Sequence, residues 1–114
     1  IFQNIIKKLK STNIIILLAG LVGAPMCKKN PHEAQLINLD GQIYLFNKIS
    51  NSQNILMPTT NSAYGTSDGK ICNEDLELNP ISTYAKHKVK VENELVQKNR
   101  WMEVKNVLKL YCRI

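Results

Sequence analysis

Tyr84 and Lys88 stand four residues apart in "NPISTYAKHKVKVENEL", residues 79–95. On a helix, that spacing puts both side chains on one face. A phenol is a poor base at neutral pH, because its free pKa is about 10. A nearby ammonium favours the phenolate, and lowering the pKa by ~3 units takes roughly 4 kcal/mol of differential stabilisation. A tyrosine so adjusted can take or return the proton of a substrate hydroxyl, the acid–base half of a hydride transfer. Thr60 offers a hydroxyl that can share a hydrogen bond with the same substrate oxygen. Each feature alone has an ordinary reading: a surface pair on an amphipathic helix, and a turn hydroxyl. Their joint order is more specific. A small-residue loop comes first, then Asn38, then Thr60 at a strand end, with Tyr84 and Lys88 following 24 and 28 residues after Thr60.

These groups need elements to hold them. Residues 2–10, "FQNIIKKLK", place Phe2, Ile5, Ile6 and Leu9 at helical spacing, and Ser11, Thr12 and Asn13 end the helix. Ile14 to Leu18 is an unbroken apolar run, which predicts a parallel strand covered on both faces. "AGLVGAP", residues 19–25, predicts a loop whose small residues allow close approach of the backbone. Pro31 fits the first turn of a helix, with Ala34, Ile37, Leu45 and Ile49 as its buried stripe. "SNSQN" predicts a turn and "ILMP", residues 55–58, a second buried strand. A polar, turn-rich segment over residues 59–82 leads to a helix from Ser82 to Asn99, capped by Ser82 or Thr83. Tyr84, Lys88, Val91 and Leu95 share its stripe, and a third strand is expected around Val107 to Tyr111.

Helices alternating with strands imply a parallel sheet with helices on its faces. The expected fold is therefore α/β, a partial Rossmann-type three-layer α/β/α sandwich with a parallel sheet. Ligands of such sheets bind beyond the carboxyl ends of the strands. "AGLVGA", "TTNSAYG" and Tyr84 all fall at such ends.

Composition narrows the functional classes. A chain of 114 residues, 44% hydrophobic, makes one domain with a modest core. Its net charge of +6 is dispersed over Lys7, Lys8, Lys10, Lys28, Lys29, Lys86, Lys88 and Lys90, among others. A nucleic-acid face would be concentrated and interleaved with aromatics, so no nucleic acid is expected. Cys27, Cys72 and Cys112 are far apart and odd in number, which suits a reducing cytoplasm better than a disulfide framework. Cys27 and His32 lack a second close pair, so no metal is expected. The apolar run "NIIILLAGLVGA" is 12 residues long, where a membrane span needs about 20, and no membrane partner is expected.

With these motifs in place, the chain resembles the extended short-chain dehydrogenases/reductases, the NAD-dependent epimerase/dehydratase family acting on nucleotide sugars. "IIILLAGLVGAP" is similar to that family's strand and loop "VIHLAA", and "NPHEAQLINLDG" to its P-x-x-A-x-x-x-N-x-x-G helix. "MPTTNSAYG" resembles SS-x-x-x-YG, and "NPISTYAKHK" resembles P-x-S-x-Y-x-x-x-K. Together the motifs cover about residues 13–88.

The resemblance implies that Tyr84 is the catalytic acid/base and that Lys88 binds the nicotinamide ribose while lowering the Tyr84 pKa. It makes Thr60 the catalytic hydroxyl, puts Ala19 and Gly20 against the cofactor, and gives Asn38 a supporting place in the cofactor site. Ser62 falls where substrate contacts are often made. The implied cofactor is NAD, with NADP as the alternative, and the implied partner is a nucleotide-sugar substrate. A homodimer through the helices near residues 31–50 and 82–99 is also implied.

The departures are informative. Leu17 replaces the usual histidine, Gly20 the usual alanine, and Lys109 an arginine common in the next strand. Sugar dehydratases of the family carry Asp-Glu after the catalytic threonine, whereas Asn61 and Ser62 stand here. That disfavours dehydration and favours epimerisation or simple oxidation–reduction. Neither GxxGxxG nor GxGxxG occurs in the sequence, so the pyrophosphate loop is missing from it. The expectation is an internal piece of a longer enzyme, without the glycine-rich N-terminal part and the C-terminal substrate lobe. The competing expectation is a catalytically silent remnant or interaction module that keeps the motifs.

Overall fold

The computed structural model describes residues 2–50, 52–66, 72, 73, 75–98 and 107–110. Helix α1 (Phe2–Leu9) leads into strand β1 (Ile14–Ile16), followed by helices α2 (Ala24–Lys29) and α3 (Pro31–Gln35). A wide π turn (Leu36–Asp40) joins α3 to helix α4 (Gly41–Phe46). Strand β2 (Asn54–Pro58), a short 3-10 turn (Asn61–Tyr64), helix α5 (Thr83–Lys98) and strand β3 (Val107–Leu110) complete the order. The expected end residues Asn99 and Tyr111, and Cys112, lie outside the described residues.

The strands form one parallel sheet in the order β1-β2-β3. Ile15 pairs with Ile55, and Met57 with Lys109. One face of the sheet offers Ile15 and Leu17 from the first strand and its extension, with Ile55 and Met57 from the second. Against these pack Leu39, Phe46, Val91 and Leu95, flanked by Leu9, Ile43, Leu45 and Ile49, so α1, α4 and α5 share a single core. Full burial of a side chain such as Met57 or Val91 contributes ~1.5–3 kcal/mol.

The opposite face of β1 is different. Ile14 is 61% exposed and Ile16 52% exposed, so the first strand is covered on one face rather than on both. An apolar run without alternation cannot distinguish these two cases, because it carries no polar residue to mark the open side.

Three polar residues fix the lower edge. Ser11 and Thr12 hydroxyls donate to the Lys8 and Leu9 carbonyls at the end of α1. Gln53, buried just before β2, donates its amide to the Leu9 and Thr12 carbonyls, which docks α1 against the second strand.

The loop expected over residues 19–25 ends early, since α2 starts at Ala24 with Pro25 in its first turn. The buried stripe of the next helix also differs from its expectation. Ala34 is buried, but Ile37 is 42% exposed, and the buried positions are Ala34, Asn38, Gln42 and Phe46, with Leu39 beside them. The π turn is the reason, because it changes the angular step along the helix.

Candidate active site

The carboxyl ends of β1 and β2 open on the same side of the sheet, and the chemically suggestive residues gather there. Pro58 ends the central strand, where a residue without an N–H takes nothing from the ladder. Its carbonyl accepts a hydrogen bond from the Lys88 ammonium at 3.1 Å. Lys88 is 6% exposed, and burial pulls its pKa below the usual lysine value. This bond ties the second turn of α5 to the strand end from which Thr59 and Thr60 emerge.

Thr60 is extended and opens the 3-10 turn, its hydroxyl accepting from the Ser62 amide at 3.4 Å. The Thr60 and Ser62 hydroxyls also share a hydrogen bond of 2.7 Å. The turn packs against α5. Helix α5 is capped by Ser82, whose hydroxyl accepts from the Ala85 amide at 3.1 Å. Of the two expected caps, Ser82 is the one used.

Tyr84 is half-buried in the first turn of α5. Burial, and then the nearby Cys27 thiol, hold its pKa above the ordinary value. The expected lowering by Lys88 does not outweigh desolvation, which favours the neutral phenol. Phenolate formation at this tyrosine needs further positive charge.

The loop after β1 forms the other wall. Ala19 and Gly20 are exposed at its tip. Asn38 grips the loop from behind: its Oδ1 accepts from the Leu21 amide at 2.7 Å, and its Nδ2 donates to the Leu21 carbonyl at 2.8 Å. The Cys27 thiol donates to the same carbonyl at 3.2 Å. Gln42 donates to the Ala19 carbonyl at 3.1 Å. Asn38 is 0% exposed, so its side chain holds the loop and does not face open space. A Cβ at Gly20 would stand 3.3 Å from Asn38 Oδ1, a tight fit that suits glycine where alanine is usual in the resemblance.

The sequence reading missed Gln42, Cys27 and the partner of Lys88. Gln42 follows Asn38 by four residues, a spacing that could have flagged a shared face. Cys27 stood out only as half of an incomplete metal pair with His32, and nothing in the sequence marked the Pro58 carbonyl or the bond from Cys27 to Leu21. Among the described residues, no group of three acidic, histidine or cysteine side chains could hold a metal, and no helix is long and apolar enough to cross a membrane.

The site fits the nicotinamide end of a dinucleotide. Its loop tip is small and open, the Ala19 carbonyl and the Leu21 amide and carbonyl behind it are hydrogen-bonded, and a buried ammonium lies at the neighbouring strand end. Gln42 Oε1, Thr59 Oγ1 and His87 Nδ1, the last two neighbours in sequence of Thr60 and Lys88, are buried without a hydrogen-bond partner.

Solved structures share the fold. A UDP-glucose 4-epimerase from Brucella ovis in complex with NAD superposes with a TM-score of 0.81 at 17% identity, over 96% of this chain and 34% of that one. An NAD-dependent NDP-hexosamine 5,6-dehydratase involved in tunicamycin biosynthesis gives 0.78 at 24% identity, over 91% and 35%. A dTDP-4-dehydrorhamnose reductase from Clostridium acetobutylicum gives 0.75 at 20% identity, over 95% and 37%. The chain thus spans about a third of the length of these proteins, and the likeness establishes the Rossmann-type α/β fold. The model of the NAD dependent epimerase/dehydratase family matches residues 2–108, and this chain belongs to that family.

Proposed function

We propose that this chain carries the nicotinamide half-site and the proton-transfer group of an NAD-dependent nucleotide-sugar epimerase or related oxidoreductase. The observation that carries the proposal is the Lys88–Pro58 hydrogen bond, which brings the helix bearing Tyr84 to the strand end bearing Thr60. Bound NAD would supply the hydride acceptor and donor; NADP is the alternative cofactor. Ala19 and Gly20 would lie along the nicotinamide. A lysine ammonium has three donors, and the two not used on Pro58 would hold the ribose hydroxyls.

Tyr84 Oη would take the proton of a sugar hydroxyl as the hydride leaves, and return it when the keto sugar is reduced on its other face. Thr60 Oγ1 would hydrogen-bond the reacting oxygen, with Ser62 beside it on the substrate side. Asn61 and Ser62 have no carboxylate to drive an elimination, which favours epimerisation or oxidation–reduction over dehydration. The free thiols of Cys27 and Cys72 fit a reducing cytoplasm.

Titration of the chain with NADH, followed by nicotinamide fluorescence, tests the half-site. Saturable binding that weakens at least about tenfold in Lys88→Ala is expected, one lost charged hydrogen bond being worth that much. Absence of saturable binding would leave the chain a catalytically silent remnant or interaction module. Product analysis with a nucleotide sugar then separates epimerisation from dehydration and from simple oxidation.

A further inference from the structure

The buried positions Ala34, Asn38, Gln42 and Phe46 recur every four residues. A straight α-helix turns about 100° per residue, so a stripe of that spacing drifts about 40° at each step and about 120° over the whole run. Four such residues line up more closely where the helix is locally underwound. The π turn over Leu36–Asp40 supplies the underwinding, since each of its residues takes a smaller angular step.

Gly41 closes that turn. Its amide donates to the Leu36 carbonyl, five residues back. A Cβ at position 41 would stand 2.9 Å from the same oxygen, closer than side-chain carbons come to a backbone oxygen. Any other residue must push the turn open or collapse it toward ordinary α winding. The two amides that hold the Ala19–Leu21 loop lie on either side of this glycine, Asn38 three residues before it and Gln42 one after.

We infer that Gly41 is a positioning residue: by admitting the π turn it sets the angle between Asn38 and Gln42, already on one helix face, at which both grip the loop from Ala19 to Leu21. Its consequence for cofactor binding rests on the function proposed above. Its geometric content does not.

Amide hydrogen exchange of the 114-residue chain by NMR reads the inference directly. Gly41→Ala is expected to speed exchange of the Leu21 amide about tenfold or more, the effect of losing one hydrogen bond. The Asn54 amide, bonded to the Asn13 carbonyl at the far end of the strands, should keep its protection. Asn38→Ala should speed Leu21 exchange equally while the Gly41 amide stays protected, and the double variant should add nothing. Protected Leu21 in either single variant, or additive effects in the double, overturns the inference. Should Gly41→Ala fail to fold, the Asn38→Ala arm and a through-hydrogen-bond coupling from the Gly41 amide to the Leu36 carbonyl still decide it, and an absent coupling overturns it. NADH titration of the same variants keeps the two proposals apart. If Leu21 responds as expected but the unaltered chain binds no NADH, the cofactor reading fails and the positioning role stands.

Discussion

The Lys88 ammonium donates to the Pro58 carbonyl across 3.1 Å, joining the tyrosine-bearing helix to the last residue of the central strand. The bond is formed by a desolvated cation, so its worth to the fold depends on pH. The folded pKa of Lys88 lies below the ordinary value. At neutral pH the folded state therefore carries the full cost of the buried charge, which is relieved as pH rises through the lowered pKa toward about 10.4. Urea denaturation between neutral pH and that limit should show a stabilising slope in the unaltered chain that Lys88→Met lacks. At neutral pH the two should differ by no more than about 1 kcal/mol, because the lost hydrogen bond and the relieved desolvation oppose each other. A loss of several kcal/mol in Lys88→Met would mean that the hydrogen bond dominates.

Tyr84 shifts in the opposite sense. Burial first and Cys27 second raise its folded pKa. Stability linked to this phenol is complete below about pH 10 and is lost as pH rises from there toward the folded value. The phenolate absorbance difference between the unaltered chain and Tyr84→Phe should have its midpoint above 10. Cys27→Ser should bring that midpoint down, since it removes the second cause. Saturating NAD, with a cationic ring, should bring it down further. A midpoint indifferent to NAD would separate Tyr84 from the nicotinamide and sink its role as acid/base.

The contrast between Lys88 and Asn38 explains how much was legible in the sequence. Lys88 and Tyr84 announce themselves because helical spacing is a local rule, and the strand end at Pro58 follows from an apolar run and turn residues, whereas β1 stops at Ile16, two residues short of the expected Leu18. The parallel order follows from alternation of elements. What holds the site was not legible. The pairing of Asn38 with Leu21 spans 17 residues, and that of Gln42 with Ala19 spans 23. Such partners are chosen by the packing of α4 against the sheet, which no local pattern encodes. The π turn escaped for the same reason, and with it the exposure of Ile37. Helix α2 was hidden because Pro25 reads as the end of a loop as readily as the first turn of a helix.

Exposed Leu36, Ile37 and Tyr44, at 48, 42 and 46%, bear on the homodimer that the resemblance implies through the helices near residues 31–50 and 82–99. They line an apolar groove of about 740 Å³ between α1 and α4, with Ile5 opposite. A second copy laid along the 31–50 helix would remove the part of that surface that α4 and the π turn supply from water, at ~25 cal/mol per Å² of apolar area. Leu36→Glu, on the outer side of the helix, should shift the chain to monomer in sedimentation equilibrium. Its melting temperature at high dilution should stay unchanged. A monomeric unaltered chain at high concentration would remove the dimer proposal.

Gly65 offers the sharpest test of how Thr60 is aligned with Tyr84. Its φ of +66° belongs to glycine, and a Cβ there would collide with the Asn79 carbonyl oxygen. Close by, the Asn79 amide donates to the Ala63 carbonyl at 2.9 Å, and the Tyr64 hydroxyl donates to the Asn73 carbonyl at 2.7 Å. These contacts strap the turn that carries Thr60 to the segment that delivers Ser82, the cap of α5. Gly65→Ala should cost about 3 kcal/mol in urea denaturation, combining backbone strain with overpacking. Tyr64→Phe, which removes one hydrogen bond and leaves the ring, should cost about 1 kcal/mol. NADH affinity should survive Gly65→Ala better than turnover of a nucleotide sugar does. Under the proposed function, the Lys88–Pro58 bond would hold the cofactor side independently, whereas the strap would set where Thr60 meets a substrate oxygen. Equal loss of both would place Thr60 and Lys88 in one rigid unit and remove the strap's separate role.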